Sequence, residues 1–346
     1  MKRKITIRDV AKKAELSVST VSLILNNKPN VNEETRRKVL GIIEQLGYHP
    51  QRSARGLALQ SSGNIGFILT EDHFSQAEPF YTKIFLGTEF EARNHNFYIL
   101  LTTVGWTLKD QSQVPRFLLE HNVDGVIIAG KIGASWVEYI QEQNLPLILI
   151  DYELPRKRVS TIGMDNRTGI KLILEHLRSG GHTKIGFIGG DIRHPSISER
   201  FATYREILSA AGVPIVSQWI AVGEENTSLG DGYEAAKKIF SVDGERPTAI
   251  VCANDAMALG CMKFLKEANI AIPGDVAVTG FDNIEAGLHV EPRLTTVNVH
   301  REEMGGIAVR RLVETIKDQS AVITKTLTPV ELIVRDSCGI KENVLD

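Results

Sequence analysis

Apolar positions follow two patterns along this chain, a helical period in the first fifty residues and short uninterrupted runs after residue 64. Ile7, Val10, Ala11 and Ala14 fall at i, i+3, i+4 and i+7, which predicts one buried helical face. Thr6 stands where an N-cap belongs, with Asp9 at the third helical position as its capping-box partner. Ser17 opens a second helix, in which Val21, Ile24 and Leu25 repeat the spacing. A third is predicted from the cap residue Asn32 through Thr35, Val39, Ile42, Ile43 and Leu46 to Gly47, with Tyr48, His49 and Pro50 breaking it. Two short helices meeting at a tight turn, closed by a third, make a small helical head.

The face of the second helix opposite its apolar stripe carries Val18, Ser19, Thr20, Ser22 and Leu23, short groups without a carboxylate to repel phosphate. Such a face can lie close against a DNA duplex, and Thr6, Ser17 and Asn26 border it as further candidate contacts. Arg36, Arg37 and Lys38 are expected on or near the outer faces of the third helix, where they meet phosphate or simply solvent. Residues 51–60, QRSARGLALQ, are too short for an independent helix and contain Gly56, so they read as a linker.

From Ile65 the runs are IGFIL, FYILLTT, GVIIAG, LPLILID, KIGFIGG, AIVCAN and VAVTGFD, alternating with helical stretches. Strands buried on both faces and separated by helices predict parallel sheets of the α/β type. Polar residues directly after an apolar strand are candidates for binding, because α/β folds present ligands there. Asp151 follows LILI, Asn254 follows AIVCA and Asp282 follows VAVTGF. Asn254 serves equally as an N-cap for the helix after it.

The chain's 346 residues, more than one ordinary domain, carry a net charge of −2 that hides an asymmetry. Residues 1–60 hold 12 lysines and arginines against 5 acids, a net +7, and the remainder is −9. A basic head on an acidic body is the footprint of a nucleic-acid-binding module joined to a soluble one. The three cysteines, Cys252, Cys261 and Cys338, form no CxxC pair and suggest neither a disulfide framework nor a zinc site. No metal or cofactor is expected. The start, MKRKITIRDVAKK, lacks an apolar core, and no segment reaches 18 apolar residues, so a cytoplasmic protein without a membrane partner is expected. P-loop, GxSxG, HExxH and strand-linked GxGxxG motifs are all missing, which leaves an α/β enzyme as a remote alternative.

TIRDVAKKAELSVSTVSLILNN followed by VNEETRRKVLGIIEQLGYHPQRSARGLA resembles the N-terminus of the lactose-repressor (LacI/GalR) family. DGVIIAG, GHTKIGFIGG, ISER, ANDAMALG, IPGDVAVTGFDN and LTTV extend the likeness, in order and spacing, over nearly the whole chain. The resemblance implies a helix-turn-helix head at 1–50, a hinge helix or linker at 51–62, and an effector-binding and dimerisation domain at 63–340. That domain would be a periplasmic-binding-protein-like core of two lobes, the first about 63–163 and 295–326, the second about 164–294 and 327–340. Crossovers are expected near Gly163 to Asn166, Pro292 to Thr295 and Thr326 to Pro329.

By the same resemblance the linker folds into a hinge helix on DNA and wedges Leu57 into the minor groove, with Arg52, Ser53 and Arg55 also at the DNA; the alternative is Leu57 packed on the body. Arg200, Asn254 and Asp282 match ligand-contacting positions, a trio suited to a hydroxyl-rich molecule, unless Arg200 and Asp282 merely bridge one lobe. Phe80 and Tyr81 match the family's aromatic pair, a stacking wall for a ring or else core, Tyr152 matches another ring-bearing position beside the ligand, and Asp72, Asp151, His194 and Ser196 complete the candidate effector site. The implied protein is a homodimeric repressor on a near-palindromic operator, controlled by a sugar or sugar derivative. A protein co-regulator or a nucleobase is the alternative controller.

Departures from the family pattern matter. Glu15 stands where the tight turn usually has Gly. Leu23 replaces a long polar base reader, so thymine-methyl contacts, water bridges and DNA deformability must carry more of the specificity. TEDHFSQAEPFY is about two residues longer than the usual loop, and Thr227 replaces an aromatic of purine-binding members, which weighs against a purine.

Overall fold

The computed structural model describes residues 5–25, 31–48, 61–71, 79–223, 226–318 and 320–339. Of the candidate contacts, Asn26, Arg52, Ser53, Arg55, Leu57 and Asp72 lie outside the described residues. By internal contacts the chain divides into two compact units, Met1–Gly63 with His121–Asp124, and the rest.

The first unit contains α1 (Ile7–Ala14), α2 (Val18–Leu25) and α3 (Glu33–Leu46). Each begins on a side-chain cap. Thr6 donates through its backbone N–H and its hydroxyl to Asp9 Oδ2 (2.8 and 2.7 Å), Ser17 Oγ accepts from the Thr20 N–H (3.0 Å), and Asn32 Oδ1 accepts from the Thr35 N–H (2.7 Å). These bonds satisfy N–H groups that the first turn leaves without helical partners. Val10, Ala11, Ala14, Val21, Ile24, Val39, Ile42 and Tyr48 are buried together as its core. Val18, Ser19 and Leu23 remain exposed on the far face of α2.

Arg36 corrects the expectation of an outward cation. Only 14% of its side chain is exposed; Nε is 3.4 Å from Glu33 and Nη1 3.5 Å from the Ile24 carbonyl. The open carbonyl end of α2 draws the guanidinium inward.

Glu15 takes the left-handed conformation, φ 60° and ψ 38°, as the turn between α1 and α2 requires. A Cβ there costs about 1–2 kcal/mol. Glu15→Gly is therefore expected to stabilise the head by about 1 kcal/mol, read as a higher denaturation midpoint followed by far-ultraviolet circular dichroism. An unchanged or lower midpoint would contradict this account of the turn.

The second unit is built of parallel strands with helices between them. Its first half runs β1 (Asn64–Thr70), α4 (Pro79–Asn94), β2 (Tyr98–Val104), α5 (Arg116–Leu119), β3 (Gly125–Ala129), α6 (Ala134–Glu142), β4 (Leu147–Ile150) and β5 (Ser160–Met164). The second half runs α7 (Asn166–Ser179), β6 (Ile185–Gly190), α8 (Pro195–Ala210), β7 (Ile220–Val222), α9 (Leu229–Phe240), β8 (Ala249–Cys252), α10 (Asp255–Glu267) and β9 (Ala277–Thr279). The chain then passes through β10 (Thr296–Val299), α11 (Arg301–Lys317), β11 (Lys325–Thr328) and β12 (Val330–Ile333).

One lobe holds a six-stranded sheet in the order β11-β5-β4-β3-β1-β2, the other a four-stranded sheet in the order β7-β6-β8-β9, and every pairing in both is parallel. Three passages join the lobes. Asp165 leads from β5 into α7, β10 leads to α11, which packs on β3 and β4 of the first sheet, and Pro329 leads from β11 to β12, which pairs antiparallel with β10. Strands β3, β4, β6 and β8 are wholly buried, as sheets covered on both faces demand. Among the described residues no helix is long and apolar enough to cross a membrane, and none group to hold a metal ion.

Candidate functional site

A cleft of about 530 Å³ lies between the two sheets of the second unit, and most of its lining comes from residues just past the C-terminal ends of strands. Thr70 ends β1, Trp106 follows β2, Lys131 follows β3, and Asp151 and Tyr152 follow β4. From the other lobe come Asp191 after β6, Thr227 after β7, Asn254 after β8 and Asp282 after β9. Loops emerge at these ends, so the backbone is free to turn side chains into the crevice. Two carboxylates depend on uncommon backbone to do so. Asp151 has φ 56°, and Asp282 and Asn283 have φ 111° and 52° in succession.

The Asp282–Asn283 turn is held by its surroundings. Asp282 N–H donates to the Val297 carbonyl (2.8 Å) and Ile284 N–H to Asp255 Oδ2 (2.8 Å). Asn283 Oδ1 accepts from Arg335 (2.6 Å) and its carbonyl from Arg301 (3.0 Å). Strained backbone persists where neighbours over-determine it, and here it aims a carboxylate into the cleft.

Arg200, at 3% exposure, forms the floor. Its Nε donates to Asn166 Oδ1 (2.7 Å) and Nη1 to the Ala253 carbonyl (2.6 Å), while the guanidinium carbon sits 3.6 Å from the centre of the Phe281 ring. Its Nη1 stands 3.8 Å from Asp282 Oδ1, too far for a hydrogen bond, so the two do not form a tight bridge. Asp282 Oδ1 and His194 Nδ1 are buried without a hydrogen-bond partner among the described residues. Burial lifts Asp282 well above the usual carboxylate range against the pull of Arg200, and burial likewise lowers His194, so its imidazole is neutral near pH 7. Unpartnered groups in a cleft call for a ligand or water that supplies the missing bonds.

Asp151 accepts from Ser196 Oγ (2.6 Å) across the cleft and from Tyr81 OH (3.1 Å) beside it. Phe80 and Tyr81 meet edge to face at 5.1 Å, and Tyr152 stands edge-on to both Trp106 (6.3 Å) and His194 (5.7 Å). This wall of rings suits the apolar face of a ring-shaped molecule. Phe80, Tyr81, Asp151, Tyr152, His194, Ser196, Arg200, Asn254 and Asp282 all line the cleft. Asn254 caps α10 as well, its Oδ1 accepting from Met257 N–H (2.8 Å) while Nδ2 donates to the Thr227 carbonyl (3.0 Å).

Sequence reasoning missed Trp106, Lys131, Asp191 and Arg193. Asp191 is gripped by Arg193 and by Lys131 from the opposite lobe; burial opposes its charge, but these bonds outweigh burial and hold it down at about 2.

A three-helix unit with an exposed, uncharged face on its second helix, joined in one chain to a two-lobed unit with a polar cleft, defines an effector-domain DNA-binding regulator. The sequence profile of the bacterial regulatory proteins, lacI family, matches residues 6–51, and that of the periplasmic binding protein-like domain matches residues 174–338. The chain is 30% identical over 337 residues to the HTH-type transcriptional repressor PurR of Vibrio parahaemolyticus, covering 96% of this chain and 98% of that protein. Among solved structures it is similar to the lac repressor dimer bound to operator and an anti-inducer (TM-score 0.80, 26% identity, 97% and 99% of the two chains). It is also similar to the transcriptional regulator CelR in complex with cellobiose (TM-score 0.73, 27% identity, 96% and 100%). The chain belongs to the LacI family, and it is a DNA-binding transcriptional repressor, not an enzyme.

Proposed function

We propose that the protein is a homodimeric repressor of a near-palindromic operator, and that a sugar or sugar derivative in the cleft controls its grip on DNA. The observation that carries the ligand class is the pair of buried, unpartnered groups Asp282 Oδ1 and His194 Nδ1, set opposite Asp151 and beside the ring wall. Carboxylates accepting from hydroxyls, with rings to cover apolar C–H faces, recognise polyhydroxy rings. Thr227 leaves the cleft without the aromatic that would sandwich a purine.

On DNA, α2 from each subunit enters successive major grooves about 34 Å apart. Val18, Ser19, Thr20, Ser22 and Leu23 face the bases, Thr6, Ser17 and Asn26 border them, and Arg52, Ser53, Arg55 and Leu57 act in the minor groove. Ligand closing the cleft moves one lobe against the other and alters the hinge spacing, a coupling of about 1–3 kcal/mol that is reciprocal between DNA and ligand.

Selection of bound DNA from a random pool, with and without sugars, tests this reading. A near-palindrome whose affinity falls steeply with salt is expected; no enrichment, or binding indifferent to salt, would overturn it. Because α2 offers no bidentate base reader, Leu57→Ala is expected to weaken specific binding by about tenfold or more while leaving nonspecific binding nearly unchanged, since a wedge acts only on a deformable site. Equal losses in both would return the discrimination to Val18, Ser19 and Leu23.

A further inference from the structure

Resting on the cleft as an effector site, we infer that the effector carries a carboxylate beside its hydroxyls, and that Lys131 is the residue that reads this charge. Lys131 follows β3 in one lobe and Asp191 follows β6 in the other, and Lys131 Nζ to Asp191 Oδ2 is 2.6 Å across the cleft. Asp191 does not depend on that bond. Arg193 reaches it with Nε to Oδ1 (2.7 Å), Nη2 to Oδ2 (3.2 Å) and the backbone N–H to Oδ1 (3.0 Å). The aspartate keeps a full counter-charge and three donors when the ammonium turns to another carboxylate.

The place from which Lys131 would act is already furnished. Its Nζ lies 5.1 Å from the centre of the Trp106 ring, so an ammonium and an aromatic face are presented together at the cleft wall. A sugar ring covering Trp106 brings any carboxylate on its rim close to that ammonium.

Charge balance in the cleft points the same way. Lys131, Arg193 and Arg200 line the cleft together with Asp151, Asp191 and Asp282, and burial disfavours the charge on Asp282. His194 stays neutral and adds nothing to either side. Behind Phe80 and Asp282, Arg301 is 4% exposed with Asp255 and Glu302 also near it; its Nε and Nη1 have no hydrogen-bond partner among the described residues. A lysine only 24% exposed at the cleft wall favours a bound anion over its neutral isostere. Lys131 is the lining cation that can supply the counter-charge for one carboxylate.

The test uses the full chain and three matched pairs: D-glucuronate with D-glucose, D-galacturonate with D-galactose, and D-gluconate with D-glucitol, by titration calorimetry and thermal shift. At least one acid is expected to bind about tenfold or more tightly than its neutral partner. Lys131→Met should abolish that preference, and Lys131→Arg should retain it. A neutral sugar binding as tightly as its acid, or an acid preference untouched by Lys131→Met, overturns the inference and leaves the sugar-responsive cleft standing. Binding by none of the six at millimolar concentration overturns both. The acid-to-neutral comparison on the unsubstituted chain decides the matter even where Lys131→Met fails to fold.

Discussion

Gly87→Ala is expected to lower the stability of the two-lobed body by about 2 kcal/mol or more, while Gly41→Ala in the head raises stability by up to about 1 kcal/mol. Both glycines sit inside helices, and both gain helix propensity on substitution. They differ in what the new methyl meets. At Gly87, on α4, a Cβ would stand 1.9 Å from the Glu302 carbonyl oxygen of α11, and the reciprocal Gly305 would put one 2.2 Å from the Ile84 carbonyl. At Gly41, on α3, nothing lies within 4 Å. The two helices of the body touch backbone to backbone, and no side-chain rearrangement relieves the clash. Denaturant midpoints of the two variants, measured with a probe in each unit, should move in opposite directions; movement in the same direction would refute the backbone contact.

Asp255→Asn is expected to remove a slope from the stability of the body between about pH 4 and pH 7. Asp255 is fully buried, accepting from Thr296 Oγ1 (2.5 Å) and Ile284 N–H (2.8 Å), with Arg301, Arg335 and Asp282 near it. Burial pushes its carboxyl up to about 7, beyond what those hydrogen bonds and arginines pull back, from an unfolded value of 3.8. A folded value above the unfolded one means that the stabilising contribution is complete below the unfolded value and is lost as pH rises through the folded one. Three units correspond to about 4 kcal/mol across that window. Asparagine keeps the shape of the neutral acid and does not titrate. Asp282, raised by burial, adds a slope of the same sign, and the lowered His182 and His194 add slopes of opposite sign. The histidine slopes are common to both proteins and drop out of the difference, whereas Asp282, raised in part by Asp255, loses part of its slope in the variant and adds to the difference with the same sign. A difference in stability between them that stays constant from pH 4 to pH 8 would rule the assignment out.

Much of this was legible in the residues, and the exceptions share a cause. The seven apolar runs are the strands β1, β2, β3, β4, β6, β8 and β9. Such runs are written mostly where a strand is covered on both faces, as β1, β3, β4, β6, β8 and β9 are, and β2 at the sheet edge is the exception. β5, β7, β10, β11 and β12 escaped notice because they are three to five residues long and carry polar or half-exposed positions, so none forms an uninterrupted apolar run. The caps Thr6, Ser17, Asn32 and Gly47 were readable because capping is local chemistry. Arg36 was misjudged because its partner, the Ile24 carbonyl, is set by the packing of α2 on α3.

At the cleft, the rule that picked out Asp151, Asn254 and Asp282, a polar residue just past an apolar strand, applies equally to Lys131 after GVIIAG and to Asp191 after KIGFIGG. The signal was present and was not followed. Trp106 and Arg193 stand two and three residues past β2 and β6, separated from their apolar runs by residues whose loop direction only the assembled lobes determine.

The contact of α4 with α11 also sets an order on synthesis. Strands β1 to β4 are made early, yet the helix that covers β3 and β4, bringing Met304, Ala308, Val309, Leu312 and Val313 into their core, lies nearly 150 residues later, and β11, which closes the edge at β5, later still. A nascent chain emerging at about 5–20 residues per second holds this apolar sheet face uncovered for many seconds. The head, complete by residue 48 and closed around its own core, has no such wait. In a cell, DNA-binding heads would be finished while their lobes still need protection, so chaperone shortage should show first as loss of the body.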